Sequence, residues 1–321
     1  MPPEREPGRP SAPSSTAVTS GTRATPPELT PALAGSARRR LAAALHRRPR
    51  LRLGLLLAGP AGWLVIAYLG SLAILFLNAG WSRDPFTGLV HRDWTLANFG
   101  QLVTNPLYRT VALRTVGMAI AVTVTCALLA FPIAYYMARV ASPRVRGLLV
   151  VAVLMPLWSS YLIKAYSWRQ ILSNDGVLNW ALSPLGVHGP GLNEVGLWLV
   201  LTYLWLPYMI LPVFAGLERI PTSLLEASAD LGGRGLMTFR RVILPLVFPA
   251  LVAGSIFTFS LTLGDYIAPS LITTTQFIGN VILANFGVPN LPLAATLSLV
   301  PLVIVTIYLL IARRLGAFEA L

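Results

Sequence analysis

Uncharged, strongly apolar windows recur along the chain at residues 53–77, 115–138, 147–163, 195–217 and 242–264. Each approaches the ~20 residues with which a helix crosses hydrocarbon while satisfying its own backbone hydrogen bonds. The third is short and extends past Lys164. A final uncharged stretch, 266–312, is too long for one span, and its Gly279, Asn280, Gly287, Pro289, Asn290 and Pro292 mark a loop. That leaves a sixth helix at about residues 293–312. The pattern predicts an all-α, polytopic membrane protein with six spans.

Composition agrees. Of 321 residues, 55% are apolar and 12% charged, against ~25% charged in soluble domains, which excludes a water-soluble globule. Residues 1–37 hold eight prolines and ten serines or threonines, too little apolar surface to offset ordering entropy. Seven arginines follow at 38–52. Residues 1–52 are therefore expected to form a disordered, basic, cytoplasmic tail, and 53–321 the membrane domain. With the N-terminus inside, nineteen of the 25 Lys and Arg residues fall on the inner side, so both termini are placed in the cytoplasm. Trp81, Trp94, Trp168 and Trp180 then sit at the outer interface as an aromatic belt.

The net charge of +13 lies beside apolar spans, so it is read as contact with anionic lipid headgroups, and no nucleic-acid partner is expected. One cysteine, Cys126, and three scattered histidines exclude a thiolate zinc site or a disulfide framework. The sole lysine, Lys164, is not preceded by a glycine-rich turn, which excludes a P-loop. No catalytic residue, cofactor or metal is expected, and any nucleotide energy must come from another subunit.

The inner connection, residues 218–249, is the most informative. Pro221, Thr222 and Ser223 can open a helix, and with Ser223 as cap Glu226 completes a capping box. Leu224, Ala227, Ser228 and Leu231 share one side at helical spacing, while Glu226 and Asp230 lie on another. Gly232 and Gly233 should stop this helix, with a second short one at about residues 236–244. Two readings fit: a docking element for a soluble partner, or an amphipathic helix packed on the bundle's own underside.

The segment closely resembles the EAA signature of permease subunits of ATP-binding-cassette (ABC) importers, E-A-A-x-x-x-G followed by a run ending in Leu-Pro. The matching residues are Glu226, Ala227, Ser228, Gly232, Leu244 and Pro245, with Ser228 for the second Ala and Gly233 where Ala is common. The resemblance covers about residues 53–314 and implies a six-helix type I ABC importer permease fold in a bacterial inner membrane. It implies ATPase coupling through Glu226, Ala227, Ser228, Asp230, Leu231, Gly232 and Gly233. It also implies a cytoplasmic ABC ATPase dimer, a second homologous permease subunit and an extracytoplasmic solute-binding protein as partners. Residues 157–168, with 171–172 and 176–179, look like the third-helix pattern of spermidine/putrescine permeases, as does Leu263-Gly-Asp-Tyr-Ile-Ala-Pro269. A Leu-Ile-Thr-Thr run at 271–274 replaces the Leu-Leu-Gly-Gly-like run of that subfamily. Polyamine is the implied cargo; phosphonate, iron and thiamine importers share similar permeases.

Lys164 and Asp265 are the ionisable groups expected within spans. Helical rise carries them ~26 Å and ~24 Å from the inner ends of their helices, to a similar depth near the outer boundary. An ion pair, a solute-contact or gating role, and snorkelling all fit, with Tyr161, Tyr266, Trp168, Trp158 and Tyr166 as aromatic company. One carboxylate is too little for a tight polyamine site, so a weak passage is expected. An ion-coupled secondary transporter would carry more intramembrane acids, and an intramembrane enzyme would need catalytic groups at membrane depth.

Overall fold

The computed structural model describes residues 49–84, 86–287 and 290–316. Residues 1–48 of the expected tail lie outside the described residues, and residues 49–52 belong to the first described helix. The helices are α1 (Pro49–Ala79), α2 (Ala97–Thr104), α3 (Pro106–Tyr135), α4 (Pro143–Trp158), α5 (Tyr161–Leu172) and α6 (Val177–Leu182). They continue with α7 (Glu194–Glu218), α8 (Thr222–Asp230), α9 (Gly235–Thr238), α10 (Leu244–Gly264), α11 (Ile267–Ile272), α12 (Ile278–Gly287) and α13 (Leu291–Arg314). A two-stranded antiparallel hairpin, β1 (Ser82–Arg83) and β2 (Val90–His91), follows α1 with Ser82 opposite His91.

Two units divide within α1, after Ala67. In the N-terminal unit Leu57, Trp63, Leu64 and Ile66 are exposed, as suits a helix surface meant for lipid. The larger unit, from Tyr68, holds the remaining helices.

Local sequence sets the starts of the long helices. Asn105 Oδ1 accepts from Leu107 N (2.9 Å) with Pro106 at the first helical position, and Asn193 Oδ1 accepts from Val195 N and Gly196 N at the head of α7. Small residues then bring α3, α7 and α10 together around Cys126, Ala130, Leu201, Leu204, Val213 and Ala250. A Cβ on Gly216 would sit 2.6 Å from Ala250 Cβ, and one on Gly254 would meet Met209 Sδ at 2.8 Å. The α7–α10 contact therefore depends on glycine, as membrane helices that approach closely often do.

Four expectations need correction. The second span starts at Pro106, not near 115, so Arg109 and Arg114 lie inside it. Arg114 is accommodated because its Nε pairs with Glu194 at 3.5 Å and its Nη1 donates to the Gln276 carbonyl. The third span is not one rod: α4 and α5 meet at a 94° bend across Ser159 and Ser160, so the described residues contain five spanning-length helices, or six with the bent pair as one. Residues 266–292 are not a plain loop but hold α11 and α12, whose apolar side chains Ala268, Ile272 and Ile278 are buried. Finally, α9 is not separate from the fifth span; it runs through a π turn (Phe239–Ile243) into α10.

The tryptophans also divide. Trp94 and Trp180 are exposed, whereas Trp81 lies under the Arg92 guanidinium (5.4 Å) and Trp168 packs against Tyr203 (5.2 Å).

Candidate coupling segment and membrane polar cluster

The coupling segment grows from a fixed root. A helix leaves its last carbonyls without partners, and here two arginines supply them. Arg139, in the π turn Tyr136–Val140 that ends α3, donates through Nη2 to the carbonyls of Leu217 (2.6 Å) and Ile220 (2.7 Å). Arg146, in the first turn of α4, donates to the carbonyls of Met137 (3.0 Å) and Ala138 (3.1 Å), and its Nη1 meets Glu218 Oε1 at 3.0 Å. The half-exposed ion pair is worth little by itself. The charge-assisted bonds to carbonyls are the stronger part, and they join the end of α3, the start of α4 and the end of α7.

From this root α8 projects at Thr222. Pro221 occupies the cap position and no side chain caps the helix, so the capping box expected from Ser223 and Glu226 does not form. Proline at the boundary fixes φ but offers no side-chain acceptor to the first amides of the helix. Leu225 packs against the bundle core and Ser228 is half-buried beside α9, while Leu224, Ala227 and Leu231 stay exposed alongside Glu226 and Asp230. The apolar stripe drawn from spacing is thus offset: part of it looks outward. Leu231 is 89% exposed, and with Leu224, Ala227, Ser228, Met237 and Arg241 it lines a pocket of about 340 Å³. Glu226 and Asp230 make no ion pair among the described residues.

The turn after α8 is a Schellman motif. Gly232 takes φ +76°, its amide donates to Ala229 O, and the Gly233 amide donates to Ser228 O at 2.8 Å. Ser228 Oγ and Thr238 Oγ1 lie 2.9 Å apart and tie α8 to α9. Gly232 is required by backbone angle. Gly233 is required by space: a Cβ there would sit 2.6 Å from both Ser228 O and Ser228 Oγ. The two departures from the EAA pattern, Ser228 and Gly233, are therefore neighbours.

At the far ends of the spans, Lys164 and Asp265 do not pair. Lys164 Nζ donates to the Pro156 carbonyl (2.8 Å) across the bend. Asp265 is 9% exposed; its Oδ2 accepts from Tyr161 Oη at 2.5 Å, and its Oδ1 from the amides of Ile267 (2.9 Å) and Ala268 (3.3 Å) at the start of α11. Both charges are spent on helix ends created by breaks, which periodicity alone does not reveal. Tyr161 stacks on Trp205 (5.8 Å), Trp205 lies against Tyr208 (5.9 Å), and Tyr208 stacks on Phe257 (6.3 Å). Trp168 stands apart from this series against Tyr203, and Tyr266 is exposed.

Residues 130–318 match the model of the binding-protein-dependent transport system inner membrane component. That match spans more than half of the chain. The chain belongs to this family. It is 48% identical over 290 residues to the inner membrane ABC transporter permease protein YdcU of Escherichia coli (strain K12), covering 85% of this chain and 92% of that protein. It is 32% identical over 268 residues to the spermidine/putrescine transport system permease protein PotB of the same strain, covering 79% and 94%. A chain from the crystal structure of a bacterial alginate ABC transporter in complex with an alginate pentasaccharide-bound periplasmic protein shares the fold, with TM-score 0.64, 17% identity and coverage of 88% and 98%. The protein is thus a multi-pass ABC importer permease subunit.

Arg139 and Arg146 entered the sequence reading only as inner-side charges. Their proximity to the Arg-Ile-Pro start of the coupling segment arises in three dimensions, 78 and 72 residues away along the chain, and no local pattern signals it. Trp205, Tyr208 and Phe257 lie in unbroken apolar windows, where an aromatic reads as lipid-facing or core.

Proposed function

We propose that this chain forms half of an import pathway, paired with a second homologous permease. Residues 218–249 dock on a cytoplasmic ATPase dimer, both termini lie in the cytoplasm, and an extracytoplasmic binding protein delivers the solute. ATP binding in the partner closes the dimer and displaces α8, switching the bundle from inward to outward access; hydrolysis resets it. Glu226, Ala227, Ser228, Asp230, Leu231, Gly232 and Gly233 carry the coupling. The supporting observation is the outward-facing stripe of α8 beside its pocket, on a root that Arg139 and Arg146 fasten to three other helices. A push on such a segment moves the bundle instead of being absorbed by a loop.

The proposed cargo is a polyamine. Support comes from the spermidine/putrescine names of the 32%-identical relatives and from the Tyr161–Trp205–Tyr208–Phe257 series, whose ring faces attract alkylammonium groups. With both Asp265 oxygens engaged, the carboxylate shapes this path and the aromatic rings, with Trp168 and Tyr266, meet the solute. Lys164 lies on the same stretch as a structural member.

Glu226→Lys tests the docking. Membrane insertion should be intact, with co-purification of the ATPase and uptake of labelled spermidine both lost; retention of both refutes it. Wild-type transporter that hydrolyses ATP in a binding-protein-dependent way without accumulating spermidine would refute the cargo alone.

A further inference from the structure

The third span breaks where its sequence reads Pro156-Leu-Trp-Ser-Ser160. α4 ends at Trp158 and α5 starts at Tyr161, turned by 94°. Such a break strands the last carbonyls of α4 and exposes the negative end of its dipole. The Pro156 carbonyl, which an unbroken helix would bond to the amide of residue 160, instead accepts from Ser159 Oγ (2.9 Å) and Lys164 Nζ (2.8 Å). Lys164 is the only lysine in the chain and lies one turn after Tyr161, on the same side of α5. That first turn is thus held in two directions: back to α4 through Lys164, and across to the start of α11 through the Tyr161–Asp265 bond.

We infer that Lys164 is a positioning residue: its ammonium group, bonded to the Pro156 carbonyl, sets the bend of the third span and so presents the Tyr161 hydroxyl to Asp265. It touches no solute. A cation at a helix C-terminus is the favourable sign there, and a methylene stem of four carbons spans the eight residues back to the carbonyl only when the chain is folded on itself. The consequence for transport rests on the proposed pathway; the geometry does not.

Spin labels at exposed Leu148 and Gln170, in a background with the buried Cys126 replaced by Ala, read the bend. Helical rise places the two sites ~23 Å apart in the bent form and ~33 Å apart in a straight helix. In the full chain in bilayers, Lys164→Met should add a population longer by ~10 Å, whereas Lys164→Arg, which keeps a charged donor, should retain the short distance. An unchanged distance in Lys164→Met, or an equal lengthening in Lys164→Arg, overturns the inference. If Lys164→Met does not insert, the native chain labelled with ε-¹⁵N lysine and carbonyl-¹³C proline decides: solid-state dipolar dephasing should place one proline carbonyl carbon within ~4 Å of Nζ, and its absence overturns the inference. In uptake, Lys164→Met, Tyr161→Phe and the double variant should lose activity by the same factor. Straightening with full uptake in all three would uphold the role of Lys164 and remove Tyr161 from the pathway; additive losses would separate Lys164 from Tyr161 and overturn the positioning role.

Discussion

Replacing Gly233 by Ala tests whether the Gly-Gly turn is a rigid joint. The new methyl would stand 2.6 Å from Ser228 O, 2.6 Å from Ser228 Oγ and 3.1 Å from Thr238 Oγ1. The hydroxyl can rotate away, but the carbonyl is fixed by its bond to the Gly233 amide (2.8 Å), so the turn must open. Overpacking of this kind costs about 1–3 kcal/mol. Opening also strains the Ser228–Thr238 contact that joins α8 to α9. Hydrogen exchange of residues 226–238 in the full chain should therefore rise by roughly tenfold or more, at ~1.4 kcal/mol per tenfold, with little change in α3 or α7. Ser228→Ala in the same chain removes one of the two close contacts. The double variant should recover part of the loss, an interaction of about 0.5–2 kcal/mol in a double-mutant cycle. Unchanged exchange in Gly233→Ala, or strict additivity with Ser228→Ala, would refute the idea that the two small-residue departures accommodate each other.

Arg139→Met should release the Leu217 and Ile220 carbonyls and cost about 2 kcal/mol locally, seen as faster exchange at residues 217–225 and lower transport with normal insertion. Full transport would show that the root need not be rigid. Gly254→Val should force α7 and α10 apart, because a Cβ would meet Met209 Cα at 3.2 Å as well as its sulfur. Thermal unfolding in detergent should show a loss of about 1–3 kcal/mol, and an unshifted midpoint would contradict the close packing.

Apolar periodicity carried the membrane class and the approximate place of the long helices, because crossing hydrocarbon constrains composition over some twenty residues. It misplaced what short polar groups decide. The bend at Ser159 and Ser160 depends on a single carbonyl finding Lys164, and a window average is blind to that. The Lys164–Asp265 ion pair, one of the three arrangements that fit the sequence, does not form for the same reason: equal depth along two helices says nothing of azimuth, and each charge found a nearer helix end. Asp265 reads as an ionisable group within a span, but it lies just past the end of α10, and its partners Tyr161 and two backbone amides come within reach because α10 stops at Gly264. In the coupling segment, Gly232 was legible as a helix stop, since only its left-handed backbone was needed. The outward turn of Leu224, Ala227 and Leu231 was not, because Leu225 competes for the same bundle surface and wins it.

Docking of α8 on an ATPase is tested by a photo-crosslinker at Leu231, the most exposed apolar side chain of the coupling segment, in cells carrying the intact transporter. A covalent adduct with a nucleotide-hydrolysing protein is expected, with a yield that changes when ATP hydrolysis is blocked. Adducts with lipid or with this chain alone, at a yield indifferent to nucleotide, would contradict it.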